Sequence, residues 1–333
     1  MRRRQSVTWV LLLSILIALA PTGAAWAAPA AAPLGQGGEP AFKLDLPRIV
    51  VTVDKDGYPS IFGLSVQDIQ RMTGMDMSMA RLPADLLQMM TDAGVQNFEV
   101  TINGQGVFLY ANGKPLPYLV WSQESLANLA SVLAAFQVPQ AALVGEVAPF
   151  LQYISISLAV QFAVPEGVTA ASLRNPKDLM LVDAAAAASE VAEKQFIVLH
   201  ALVDVDAEGV PSIMGVSTRR LQELTGMDMS TAVVPANLMA QLSAGGVQHV
   251  QVQTLPSGLF LYLNGKPLPN LAWDAAHLAT LAELLPKLMA AQPWAPLAGQ
   301  AVPTLQATDV QLTVRFPLPA GAQEQPLHEF AAP

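Results

Sequence analysis

Residues Gly57–Ala130 recur as Gly209–Ala282 without a gap, and about half the positions are identical. No other feature constrains the fold as strongly, because whatever one copy builds the other must build too. The shared runs include TGMDMS at Thr73–Ser78 and Thr225–Ser230, and FLY-x-NGKPLP-x-L-x-W at Phe108–Trp121 and Phe260–Trp273. The period is too long for a solenoid unit and matches a small domain. The chain therefore reads as two tandem homologous α+β domains, residues 42–166 and 196–321, each a mainly antiparallel sheet with helices packed on one face. Between them, residues 167–195 read as an Ala-rich helical linker built around Ala184–Ala188, and 322–333 read as a tail.

Each copy carries the same local signals. A Val/Ile-rich strand, Arg48–Asp54 or Phe196–Asp206, ends in an acidic Gly-containing turn. A short helix follows, with Ser65 or Ser217 as N-cap and Gly74 or Gly226 as its stop; Asp68 completes a capping box in the first copy, whereas Arg220 leaves half of one in the second. A second helix opens at Pro83 or Pro235 and stops at Gly94 or Gly246. A meander then turns at Asn112-Gly113, a type I′ hairpin signal, and Pro115 and Pro117 predict an edge or irregular third strand. Trp121 and Trp273 precede a third helix, positioned to staple Leu126 and Leu278. A long alternating strand closes each copy, with Ile154, Ile156, Leu158, Val160 and Phe162 inward and polar residues facing out.

The first residues address the chain. Arg2–Arg4, the apolar run Val7–Ala20 and Ala25-Trp26-Ala27 form a signal peptide over residues 1–27, cleaved near Ala27, followed by a flexible tether over 28–41. Retention of the leader as an anchor is the alternative. The mature chain has no later transmembrane run and is expected to be secreted or otherwise extracytoplasmic. The absence of cysteine excludes disulfides, thiolate metal sites and cysteine nucleophiles. The net charge is −9, and no basic cluster survives outside the leader, which disfavours a nucleic-acid partner.

Candidates for chemistry are few. Met75 and Met77, and their counterparts Met227 and Met229, offer soft thioethers about 6.6 Å apart along an extended chain, a pattern suited to Cu(I). The competing reading is a helix stop with methionines packed around it. Asp204-x-Asp206-x-Glu208-Gly209, with Thr52-x-Asp54-x-Asp56-Gly57 as its counterpart, begins like a calcium loop but has Gly215 or Gly63 in place of the bidentate acid at position twelve. No histidine is shared by the copies, and no nucleophile elbow, phosphate loop or dinucleotide fingerprint is complete. Phe108, Tyr110, Trp121, Phe260, Tyr262 and Trp273 gather aromatic area around one hairpin per copy, the candidate surface for an unidentified protein, polymer or small apolar ligand. The expectation is a non-enzymatic exported protein acting by binding or assembly, with no cofactor. A metal-handling protein and an enzyme with an inter-domain site are the alternatives.

Overall fold

A computed structural model of the chain describes residues 44–45, 48–61, 63–74, 76, 80–136, 138, 151, 153–164, 167–175, 197–213, 215–318 and 321–330. The expected leader and tether, most of the expected linker, and Met75 and Met77 lie outside the described residues. The first repeat comprises β1 (Leu44–Asp45), β2 (Ile49–Val53), β3 (Pro59–Ile61), β4 (Leu64–Ser65), α1 (Val66–Thr73), α2 (Ala84–Asp92), β5 (Asn97–Asn103), β6 (Gly106–Ala111), β7 (Lys114–Val120), α3 (Gln123–Ala135) and β8 (Ile154–Phe162). The second comprises β9 (Ile197–Val205), β10 (Pro211–Ile213), β11 (Val216–Ser217), α4 (Thr218–Thr225), α5 (Ala236–Ala244), β12 (His249–Leu255), β13 (Gly258–Leu263), β14 (Lys266–Pro267), β15 (Asn270–Ala272), α6 (Ala275–Leu288), α7 (Ala295–Ala301) and β16 (Thr308–Arg315).

The local signals become these elements for local reasons. Ser65 accepts the Asp68 N–H at 3.0 Å and Gly74 ends α1 at φ +72°; Ser217 and Gly226 do the same for α4. Asn112 and Asn264 sit at φ +51° and +50°, each followed by a left-handed glycine, as a type I′ turn requires. Ser122 and Ser125 form a reciprocal capping box at the start of α3. Trp273 is buried against Leu278, the expected staple.

Among the described residues the architecture is α+β, with one mixed, mostly antiparallel sheet of sixteen strands. Its order is β11-β10-β9-β16-β12-β13-β15-β7-β6-β5-β8-β2-β3-β4, with β1 beside β8 and β14 beside β13. Within each repeat the last strand inserts between the first and the meander, parallel to β2 or β9 and antiparallel to β5 or β12. The outer edges, β4 and β11, are two residues long, which limits what can add to them.

The repeats meet inside the sheet. β7 is irregular, as its prolines predict, with a shift of register between Val107 and Leu109, but it is not an edge. Residues 118–120, beyond both prolines, pair with β15: Tyr118 with Ala272, Leu119 with Leu271, Val120 with Asn270. Since Leu271 occupies the place of Leu119, and Asn270 that of Tyr118, the junction has the register of a two-fold axis through the Leu119–Leu271 pair. Gly106 and Gly258 let the neighbouring strands close up here; a Cβ on either would lie 2.0 Å from the Leu119 carbonyl oxygen or 2.4 Å from that of Leu271.

Helices tie the halves together on one face. Alternation along β5 puts Phe98, Val100 and Ile102 on that face and Asn97, Glu99 and Thr101 on the other. Leu284 and Leu288 of α6, from the second repeat, pack with Val53, Val95, Phe98 and Phe162 of the first. In the reverse direction, Asn128 of α3 donates to the Pro267 carbonyl at 2.8 Å. Lys114 reaches Glu283 of α6 at 2.8 Å.

The opposite face corrects one expectation, that the polar residues of the closing strand face out: Ser157 on β8 is buried. So are its neighbours on this face, since Asn97, Glu99 and Thr101 on β5, and His249, Gln251 and Gln253 on β12, are each no more than 4 % exposed. Thr101 and Ser157 share a buried hydrogen bond of 3.2 Å. Burying polar groups is stable only when they are partnered, and most of the partners come from segments expected to be linker and tail.

Candidate functional site

Residues 167–175 and 321–330 are straps laid over this polar face. Each begins at a left-handed glycine, Gly167 at φ +83° and Gly321 at φ +82°. In the first repeat, Gln96 accepts the Ala171 N–H through its side-chain oxygen. Asn97 donates its amide to the Ala171 carbonyl at 2.9 Å, and Glu99 accepts the Arg174 N–H at 2.8 Å. Arg48, which lies 3.1 Å from the Glu99 carboxylate, donates to the Arg174 carbonyl. The Arg174 guanidinium lies over the Tyr110 ring, 3.7 Å from its centre.

The second repeat does the same with different side chains. Gln248 accepts the Gln325 N–H at 2.7 Å and donates to the Gln323 carbonyl at 2.7 Å. His249 meets the Gln325 carbonyl at 3.3 Å through Nε2, which must carry the hydrogen; its Nδ1 is buried without a hydrogen-bond partner among the described residues. Gln251 accepts the His328 N–H at 2.7 Å and donates to the His328 carbonyl at 2.9 Å. The His328 ring stacks on Tyr262, centres 3.6 Å apart and planes 12° from parallel, with Phe330 edge-on to both.

The chemistry is backbone recognition by side chains. A primary amide presents one donor and one acceptor, so Gln251 completes both bonds of a strand-like pairing with one residue of the strap. In the first repeat that work is divided: Glu99 takes the N–H and Arg48 takes the carbonyl. The substitution puts an ion pair, 1 % exposed on the glutamate side and 14 % on the arginine side, where the second repeat has a neutral amide. Burial pushes the Tyr262 hydroxyl above its ordinary pKa, and burial also lowers that of His328 against the opposing charge of Glu329.

Of the aromatic residues singled out from sequence, Tyr110 and Tyr262 floor the two straps. Phe108 is buried and stacks on Tyr118, centres 4.9 Å apart, near the junction. Phe260 is half-buried on the strap face, beside Tyr262 in the alternation of β13. Trp273 is buried with the helix-side core, and Trp121 is half-buried; both indole N–H groups are enclosed with no hydrogen-bond partner among the described residues. The tryptophans are thus not brought together with the tyrosines.

The methionine motif is described only in the second repeat. Met227 is 59 % exposed, and Met229 is half-buried with its N–H on the Gln222 side-chain oxygen at 3.1 Å. Among the described residues no three His, Asp or Glu side chains are grouped to hold a metal ion. The aspartates of the acidic turns serve their own loops: Asp54 Oδ1 accepts the N–H groups of Asp56 and Tyr58, and Asp206 Oδ1 those of Glu208 and Val210. No helix among the described residues is long and apolar enough to cross a membrane.

The residues that sequence reading missed are Gln96, Asn97, Glu99, Arg174, Gln248, His249, Gln251 and His328. A signal for the straps was present: Gly-x5-Leu-Arg at Gly167–Arg174 and Gly-x5-Leu-His at Gly321–His328. It falls at a spacing of 154 rather than the 152 of the main repeat, so a gapless alignment passes over it. No family model, curated protein or solved structure matches the chain.

Proposed function

We propose that this is an exported, non-enzymatic binding and assembly protein whose polar sheet face receives extended polypeptide. The observation that carries the reading is the repeated capture of a strap's main chain, with the residues at 171 and 174 in one copy and 325 and 328 in the other held by side chains of β5 or β12 and the residues just before them. Main-chain hydrogen bonds supply affinity for any extended segment of suitable register, as in strand addition, while the strap's own side chains add selectivity. Duplication in one chain gives two such faces and hence avidity for a partner offering two segments. The leader-like N-terminus supports export, and sequencing the N-terminus of protein from envelope and culture fractions tests it.

Binding is tested with a labelled peptide of residues 321–330 added to the full chain carrying His328→Ala, which weakens the resident strap. Saturable binding is expected, with loss when Gln251→Ala is added and the far-ultraviolet circular dichroism is unchanged. Absence of binding up to millimolar peptide would remove the proposal.

A further inference from the structure

We propose that the tyrosine floor under each strap selects a planar, nitrogen-bearing side chain, arginine or histidine, three residues after a clamped backbone position in the incoming segment; this rests on the face being a polypeptide-binding surface. The spacing is built into the sheet. Gln96 and Glu99 are three residues apart, as are Gln248 and Gln251, and they engage the main chain at 171 and 174 and at 325 and 328. Two unlike residues, Arg174 and His328, then arrive at the same place and adopt the same use, lying at 3.7 Å and 3.6 Å from the centres of Tyr110 and Tyr262.

Among the described residues, what holds the arginine is the ring rather than a counter-charge. Nε, Nη1 and Nη2 of Arg174 are all enclosed, and none makes a hydrogen bond among the described residues. The nearby Glu99 carboxylate is engaged by the Arg174 main-chain N–H and by Arg48. A flat guanidinium or imidazole can cover the phenol face, whereas a lysine ammonium is a compact, strongly hydrated charge that loses more on enclosure. In the second repeat Phe330 closes the side of the stack, 6.2 Å from Tyr262 and 6.0 Å from His328. The ligand class is therefore an extended segment of another polypeptide with arginine or histidine at this position, competing with the resident strap.

The test uses the full chain with His328→Ala and four labelled peptides of residues 321–330, bearing His, Arg, Lys or Ala at position 328, with anisotropy as the readout. The His and Arg peptides are expected to bind roughly 2- to 30-fold more tightly than the Ala peptide, the range of a ring-face contact, with Lys close to Ala. The ring protons of the His peptide should shift upfield in its bound spectrum, and Tyr262→Leu in the host should abolish that shift. Equal affinity of all four peptides would overturn the selectivity and leave the binding face standing. Lys matching Arg would show that charge rather than planarity is read, overturning the proposal as stated. No binding by any of them would overturn both.

Discussion

Leu119 of β7 lies opposite Leu271 of β15, its own counterpart in the second repeat, and the pairs on either side of it exchange places. A strand pair with this symmetry is isologous: the same edge is used twice, so one set of side chains had only to become complementary to itself. The pairing predicts that Leu119→Cys with Leu271→Cys closes a disulfide in a chain that otherwise has no cysteine. Directly opposed antiparallel residues have Cα atoms about 4.5–5.5 Å apart, inside the range a disulfide spans. Mass spectrometry after alkylation should find both thiols blocked in the oxidised, folded chain; two alkylated thiols would contradict the register.

The α6 helix supplies a different check. Leu284 belongs by sequence to the second repeat but is buried among first-repeat residues. Leu284→Ala should destabilise by about 2–5 kcal/mol, the ordinary cost of emptying a buried leucine site. Hydrogen exchange should report faster opening in β5 and β8 as well as in α6. Unchanged protection of β5 and β8 would mean that the first repeat closes its core without this helix.

Glu99 and Arg48 make a third case. Removing one member of a buried pair strands the other, so Glu99→Ala should cost about 3–5 kcal/mol in urea unfolding. Glu99→Gln together with Arg48→Ala leaves a neutral amide, the device the second repeat uses at Gln251, and should cost clearly less than Glu99→Ala alone. Equal costs would show that the charges themselves, and not strap recognition, are needed at this position.

These three elements also show what can be read from a sequence and what cannot. The Asn112-Gly113 turn, the Ser65 and Ser122 caps and the Trp273–Leu278 staple were legible because a few neighbouring residues determine each. Insertion of β8 between β2 and β5 depends on contacts distant in sequence, and no local pattern encodes it. Pro115 and Pro117 pointed to an edge, yet Tyr118–Val120, free of proline, were enough to join the repeats. Asn97, Glu99 and Gln251 alternate with apolar residues as a solvated face would; only the strap that covers them reveals that they are buried. Tyr110 and Tyr262 were found among the aromatic candidates, but their partners sit in segments that resemble linker and tail.

Acid should separate the two straps. His328 has its pKa lowered by burial, despite Glu329, so its neutral form is the one the folded chain prefers. The unfolded or released strap then binds a proton more readily, and stability rises with pH in the window below the ordinary value of 6.5, being lost as pH falls through the folded value. The ring faces Tyr262 and Phe330, and its main chain is held by Gln251. Amide exchange at Gln325 and His328, corrected for intrinsic rates, should accelerate between pH 7.5 and 5. The first strap has an arginine where the second has this histidine, so it carries no imidazole over its tyrosine and exchange at Ala171 and Arg174 should not follow. Parallel loss at both straps would assign the effect to something other than the imidazole.

The two-fold register has a consequence for how the protein tolerates dilution. Two separate chains meeting edge to edge would part as their concentration fell, whereas repeats within one chain meet at a local concentration of about millimolar whatever the surrounding solution holds. A molecule diluted into a large volume keeps its fourteen-strand path continuous. With the junction favoured by covalent linkage, the two halves need not remain identical, and one carries an arginine where the other carries a histidine.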